Sequence, residues 1–358
     1  MDFKKENIIE LAEARIKEGK VNNLQIFGKE VNIDIELNSP ALHVKKKTEG
    51  AIIEAIEEEF GNEVTVKLNT VIKTPEKTEQ QNPSAMSGVK NIVAIASGKG
   101  GVGKSTVTAN LAISLTKQGY KVGVLDADIY GPSIPIMFDV ENERPKVDNS
   151  GSKQMMIPVE SYGVKVMSIG FFADPSQPIV WRGAMTTKAL KQMLGDVNWG
   201  ELDVLLIDLP PGTGDIHLSL VQSIGITGAV VVSTPQQVAL ADCRKGVAMF
   251  QLESVNVPVL GIVENMSWFT PAELPDNRYY IFGKDGAKDL ADVLGVELLG
   301  QIPLVQSIRE AGDAGRPAGM QNDTPVSDSF KQLAENVWTS LEKRNKEQAP
   351  TQIVEMKR

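Results

Sequence analysis

Apolar positions along the chain come in two textures. Over residues 1–72 they are sparse and periodic. Ile8, Ile9, Leu11, Ala12 and Ile16 recur near helical spacing, and Gly19 is the expected stop. "LQIFG" and the alternating "VNIDIEL" read as strands, the second with one buried face. "GAIIEAIEEEFG" reads as an amphipathic helix closed by Gly61, and "EVTVKLNTVI" as another alternating strand. The predicted order is αββαβ, a small α+β domain spanning 1–72. Residues 73–90, "KTPEKTEQQNPSAMSGVK", have almost nothing to bury and read as a linker.

From Asn91 the runs become short and wholly apolar: "IVAIAS", "KVGVLDAD", "VKVMSIGFF", "DVLLIDLPPG", "AVVVSTP", "VPVLGIVENM" and "VELLGQIP". Helical stretches separate them. A strand apolar on both faces must be covered on both faces, which predicts an α/β domain with a mostly parallel sheet between helices. Its expected span is 91–344. The last helix places Phe330, Leu333, Ala334, Val337, Trp338 and Leu341 on one face, which docks on the domain, and 345–358 reads as a tail. Several strands end in Asp, Gly, Ser or Pro, where the ligand crevice of an open α/β sheet lies.

Composition narrows the partners. The 358 residues, 42% of them hydrophobic, are enough for large cores, and a formal charge of −9 argues against a surface that coats nucleic acid. The run Lys45-Lys46-Lys47 reads as a solvated turn. The single cysteine, Cys243, makes no disulfide within the chain and fits a reducing compartment. "MDFKKENIIELAEARIKEG" lacks the apolar core of a signal peptide, and no run approaches the roughly 20 residues of a membrane span. The expectation is a cytoplasmic protein with neither nucleic-acid nor membrane partners.

The chemistry concentrates in "SGKGGVGKS", residues 97–105. Gly98-x-x-x-x-Gly103-Lys104-Ser105 is the P-loop pattern, in which backbone N–H groups wrap phosphates, the lysine neutralises them and the hydroxyl ligates Mg²⁺. Gly98-x-Gly100-x-x-Gly103 also satisfies the dinucleotide fingerprint, with Asp126 about 20 residues on where an acidic residue would hold a ribose. Two features decide for the triphosphate. Lys104 and Ser105 have no use in the dinucleotide motif. "DVLLIDLPPG" supplies Asp208 after an apolar strand, placed to hold a water on Mg²⁺, and Gly212, whose N–H can approach a γ-phosphate. Gly98, Lys99, Gly100, Gly101, Val102, Gly103, Lys104, Ser105 and Thr106 are thus candidate nucleotide ligands. Ser105 and Asp208 are candidate Mg²⁺ ligands. Lys104 takes the inside position, so Lys99 is free to reach a second nucleotide across a two-fold axis, as an arginine finger does.

The doubled-lysine loop "KGGVGKS" resembles the deviant Walker A motif of the MinD/ParA/nitrogenase-iron-protein class, whose first lysine acts across a nucleotide-sandwich dimer. That resemblance implies a slow, Mg²⁺-dependent, homodimeric ATPase. It also implies that Asp128 of "DADIYGPS" orients the attacking water and that Asp126 lies nearer the metal. With "IDLPPGTGD", "STPQQVALADCRKG", "VENMSWF" and "GQIPLVQSIREAGDAGRP", the chain resembles the Mrp/ApbC-type iron–sulfur cluster carrier ATPases. By that likeness Asn265 is similar to the residue that reads adenine, the cargo is a [4Fe–4S] cluster, and the partners are apo iron–sulfur proteins or assembly factors.

One departure stands out. The family usually carries Cys-x-x-Cys between "NMS-aromatic" and "IFG", but here that segment is "NMSWFTPAELPDNRYYIFG", with no sulfur around Pro271 and Leu274. Cluster ligands therefore stay unassigned. Cys243 reads as a small buried filler, and His43 and His217, the only histidines, as surface or satisfied residues. Two other roles remain open: an adaptor ATPase that ligates no cluster, and a positioning ATPase of the MinD/ParA type.

Overall fold

A computed structural model describes residues 4–16, 19–37, 42–61, 64–72, 86, 88–129, 131–149, 154–172, 189–190, 192–214, 217, 224–271, 273–274 and 276–348. The chain divides into two compact units, Met1–Asn82 and Pro83–Arg358.

The first unit has the expected αββαβ order: α1 (Lys5–Glu13), β1 (Gly19–Phe27), β2 (Glu30–Leu37), α2 (Leu42–Phe60) and β3 (Thr65–Ile72). β1 and β2 pair antiparallel, and β3 joins β2 in parallel. Ile8, Leu24, Ile33, Ile52 and Ile56 close its core. Three local readings change. α1 ends at Glu13, and Gly19 opens β1 rather than stopping a helix. α2 starts at Leu42, so Lys45, Lys46 and Lys47 lie on a helix and not in a turn, with Lys45 3.8 Å from Glu49 one turn on. His43 lies in the first turn of α2, and its side chain falls outside the described part of the structure. Gly61 does close α2: at φ 87° it takes a conformation disfavoured for other residues, and its N–H caps the Glu57 carbonyl at 2.9 Å.

The second unit holds an eight-stranded sheet built on all seven apolar runs. Its strands are β4 (Ile92–Ala96), β5 (Val122–Asp126), β8 (Val159–Ser161), β9 (Val164–Ser168), β10 (Val204–Asp208), β11 (Gly228–Ser233), β12 (Val259–Phe269) and β13 (Leu298–Leu304). The order is β13-β12-β11-β4-β10-β5-β9-β8, parallel except for β8, which pairs antiparallel with β9 at one edge. β6 (Lys146–Asp148) and β7 (Met155–Ile157) form a separate hairpin. Every residue of β4, β5, β10 and β11 is buried, as two covered faces require. The unit's described α-helices include α3 (Lys104–Lys117), α4 (Ile134–Met137), α5 (Gln237–Gln251), α6 (Gly286–Leu294), α7 (Gln306–Asp313) and α8 (Pro325–Glu347).

α8 starts at a capping box between Thr324 and Ser327 with Pro325 in its first turn. It buries Phe330, Leu333, Ala334, Val337 and Leu341. Trp338 sits at the flank of that face, half-buried, its ring stacked on Tyr120 at 3.8 Å. Residues 349–358 lie outside the described part.

Register places the site. β5 and β10 pair in parallel with Asp126 opposite Asp208, and β9 sets Ser168 opposite Asp126. Two carboxylates remote in sequence thereby become neighbours at the carboxyl ends of the strands.

Candidate functional site: a phosphate loop over two buried carboxylates

The loop between β4 and α3 turns twice through glycine. Gly101 and Gly103 both have φ 80°, and a side chain on Gly103 would run into the Asn265 amide. Gly98 is required for another reason: a Cβ there would strike the Asp242 backbone, because the loop rests on α5. α3 then begins at Lys104 with its N–H groups turned to the loop, a ready anion site.

Lys104 is buried, with its ammonium 2.7 Å from Asp208 and 3.9 Å from Asp128. Ser105 donates to one Asp208 oxygen at 2.5 Å and Thr108 to the other at 2.6 Å. Thr108 lies one helical turn beyond Lys104, on the same face of α3, a spacing legible in the sequence but not used there. Asp126 is wholly enclosed. It accepts from the Asp128 N–H at 3.1 Å, the Ile134 N–H at 3.3 Å and the Ser168 hydroxyl at 3.0 Å. Burial, reinforced by the Asp208 charge, pushes its carboxyl up to about 8.

This donor set fits a divalent cation. Two adjacent buried carboxylates with a hydroxyl beside them are crowded by their own charge, and Lys104 is the cation that partly offsets it. The structure brings the sequence candidates Lys104, Ser105, Asp126, Asp128 and Asp208 together. Thr108 and Ser168 join them unanticipated.

Gly212, at φ 99°, uses its N–H on the Ser97 carbonyl at 2.9 Å, so meeting a phosphate requires that bond to open. The Lys99 ammonium makes no hydrogen bond or ion pair among the described residues, and only its carbonyl is engaged, by Ser97 at 3.0 Å. Asn265 donates to the Val102 carbonyl at 2.8 Å, tying β12 to the loop. Beside them a cavity of about 900 Å³ opens, lined by Gly103, Thr106, Asn265 and Met266 toward the loop and by Ile136, Phe269 and Ile308 on its apolar walls. Its size and lining suit a base and ribose.

Leu274 and Pro271 are joined by a turn, with the Leu274 N–H 3.1 Å from the Pro271 carbonyl. Phe269 and Tyr279 exchange two backbone bonds of 2.8 Å, and Arg278 lies over the Trp268 ring at 4.4 Å. Cys243 is buried in α5, and burial pushes its thiol up to about 11, which agrees with the filler reading. Among the described residues no group of three or more His, Cys, Asp and Glu could hold a metal ion. His217 departs from expectation, being buried with one ring nitrogen unsatisfied among the described residues.

Comparison with known proteins agrees with this geometry. Residues 88–338 match the ParA-type family model described as the NUBPL iron-transfer P-loop NTPase. An iron–sulfur cluster carrier protein of Synechocystis is 43% identical over 324 residues, covering 90% of both chains. The Escherichia coli protein of the same name is 48% identical over 276 residues, covering 77% of this chain and 73% of its own. The iron–sulfur cluster transfer protein NUBPL of Dictyostelium discoideum is 46% identical over 259 residues, 72% of this chain and 79% of its own. A nucleotide-binding protein from Archaeoglobus fulgidus, solved in complex with ADP, superposes with a TM-score of 0.58 at 41% identity, over 67% of this chain and 92% of its own. The cell division ATPase MinD of Pyrococcus furiosus superposes with a TM-score of 0.50 at 25% identity, over 70% of this chain and 99% of its own. With the phosphate loop, the register-paired carboxylates and nine-tenths of a curated relative all in agreement, the chain belongs to the NUBPL iron-transfer P-loop NTPases of the ParA type.

Proposed function

We propose that this chain is a Mg²⁺-dependent ATPase, active as a homodimer, that serves as an iron–sulfur cluster carrier or assembly factor for apoproteins. The observation that carries the hydrolytic part is the convergence of Lys104, Ser105, Asp126 and Asp208 on one buried point beneath the loop. The backbone of Gly98–Thr106 binds the phosphates, and the cavity beside Asn265 takes the base. Lys104 leaves Asp208 for the phosphates. Ser105, Asp126 and Asp208 would hold Mg²⁺, which would supply positive charge to neutralise the phosphates. Asp128 orients the attacking water, Gly212 meets the γ-phosphate once its bond to Ser97 opens, and Lys99 completes the partner's site. Turnover is slow, because nucleotide state sets shape rather than flux.

The cargo follows from the curated relatives, whose names describe cluster carriage and transfer. With Cys243 buried and its thiol pushed up, the cluster's ligands come from the protein that gives or receives it. A single thiol with no partner for a disulfide favours a reducing, cytoplasmic setting. A second reading, an adaptor ATPase that holds a client and never contacts the cluster, is favoured by the lack of a ligand set among the described residues.

The test is transfer of a [4Fe–4S] cluster to an apo-enzyme, run anaerobically with Mg-ATP and with EDTA, beside Cys243→Ser. Faster activation of the apo-enzyme, unaffected by Cys243→Ser, supports carriage through partner-supplied ligands. ATP hydrolysis that stops in EDTA, with no effect on activation, supports the adaptor. Absence of ATP hydrolysis overturns both.

A further inference from the structure

The ATPase cycle above makes no use of His217, although it lies just beyond the loop that leaves β10. Its side chain is 2% exposed. Nε2 stands 2.8 Å from the Pro210 carbonyl. A carbonyl can only accept, so Nε2 carries the proton and Nδ1 is a bare acceptor. That Nδ1 is buried with no hydrogen-bond partner among the described residues. Burial also holds the imidazole below its ordinary pKa, so it stays neutral. An apolar ring would fill the same space without stranding an acceptor, so packing alone does not account for a histidine here.

The segment it closes is fastened to the phosphate loop. The Leu209 N–H bonds the Ile95 carbonyl at 3.0 Å, and the Gly212 N–H bonds Ser97 at 2.9 Å. Between them Pro210 and Pro211 have no N–H to give. The ring's bond to the Pro210 carbonyl is thus the side-chain grip on that stretch, and the His217 N–H adds a 3.0 Å bond to Gly214. Lys104 and Asp128 both lie near enough to act on the imidazole charge.

We propose that His217 is a positioning residue for ATP hydrolysis. Through Nε2–H it holds Pro210, and so places the Gly212 N–H. Its Nδ1 accepts a donor that enters only with nucleotide. This rests on the ATPase reading.

The experiment compares His217→Phe and His217→Gln in the full chain with Mg-ATP. It measures kcat, KM, affinity for a fluorescent ADP analogue and melting temperature. Phe keeps the volume and loses both bonds, whereas Gln returns a donor toward Pro210 without an acceptor at Nδ1. His217→Phe is expected to lower kcat about tenfold or more, with KM and ADP affinity within about twofold of wild type. His217→Gln is expected to fall between Phe and wild type. A wild-type kcat in either variant, or Gln no better than Phe, overturns the proposal. So does a loss of nucleotide affinity that matches the loss in kcat. Should His217→Phe not fold, Gln decides alone: a lowered kcat at unchanged KM upholds the proposal. An inactive wild-type chain removes the ATPase reading itself, and this proposal with it.

Discussion

At the scale of single residues, the loop glycines and Lys99 make the sharpest predictions. Gly103 combines a left-handed backbone with contact against Asn265, so Gly103→Ala adds strain and a clash at once. Expected is a loss of nucleotide binding of about tenfold or more, read by ADP titration, with the fold retained by circular dichroism. Lys99→Ala removes an ammonium that makes no hydrogen bond or ion pair among the described residues of its own subunit. Nucleotide affinity should stay within about twofold while hydrolysis falls by at least ~100-fold, on the scale of an arginine finger; an unchanged rate would sink the trans role. Cys243 should resist thiol reagents in the native protein and react at once in denaturant, because its buried thiol stays protonated at neutral pH. The residue types in the loop were legible from spacing alone. The state of His217 was not, since burial and a missing partner are properties of neighbours that no spacing records.

At the scale of elements, uniformly apolar runs marked the parallel strands well, because covering both faces leaves no room for alternation. They failed at β8, a short edge strand of mixed exposure that pairs antiparallel. Helix ends were less legible. The apolar spacing near Ile16 pointed to a longer α1, but the helix stops at Glu13 and Ile16 packs on the core from outside it. The docked face of α8 gives a stability prediction. Phe330 is fully buried against the sheet, so Phe330→Ala should cost about 3–5 kcal/mol in denaturant melts, with ADP affinity preserved in the folded fraction. A loss under ~1 kcal/mol would mean that α8 adds little to the core.

At the scale of the whole molecule, the proposed homodimer should appear only with nucleotide. Light scattering should show one chain's mass without ligand and twice that mass with Mg²⁺ and a slowly hydrolysed ATP analogue; a constant mass would remove the trans-acting lysine. The sequence by itself determined the phosphate loop, the apolar strands and the scarcity of thiols, because motif spacing and hydrophobic period are local properties. Only the tertiary structure set Asp126 beside Asp208, rested Gly98 on α5 and tied Asn265 to Val102. Strand register and close approach join positions far apart in the chain. Asp126 shows the physical reason most clearly: its carboxyl rises to about 8 because of burial and a neighbour more than eighty residues away, and neither exists until the sheet has formed.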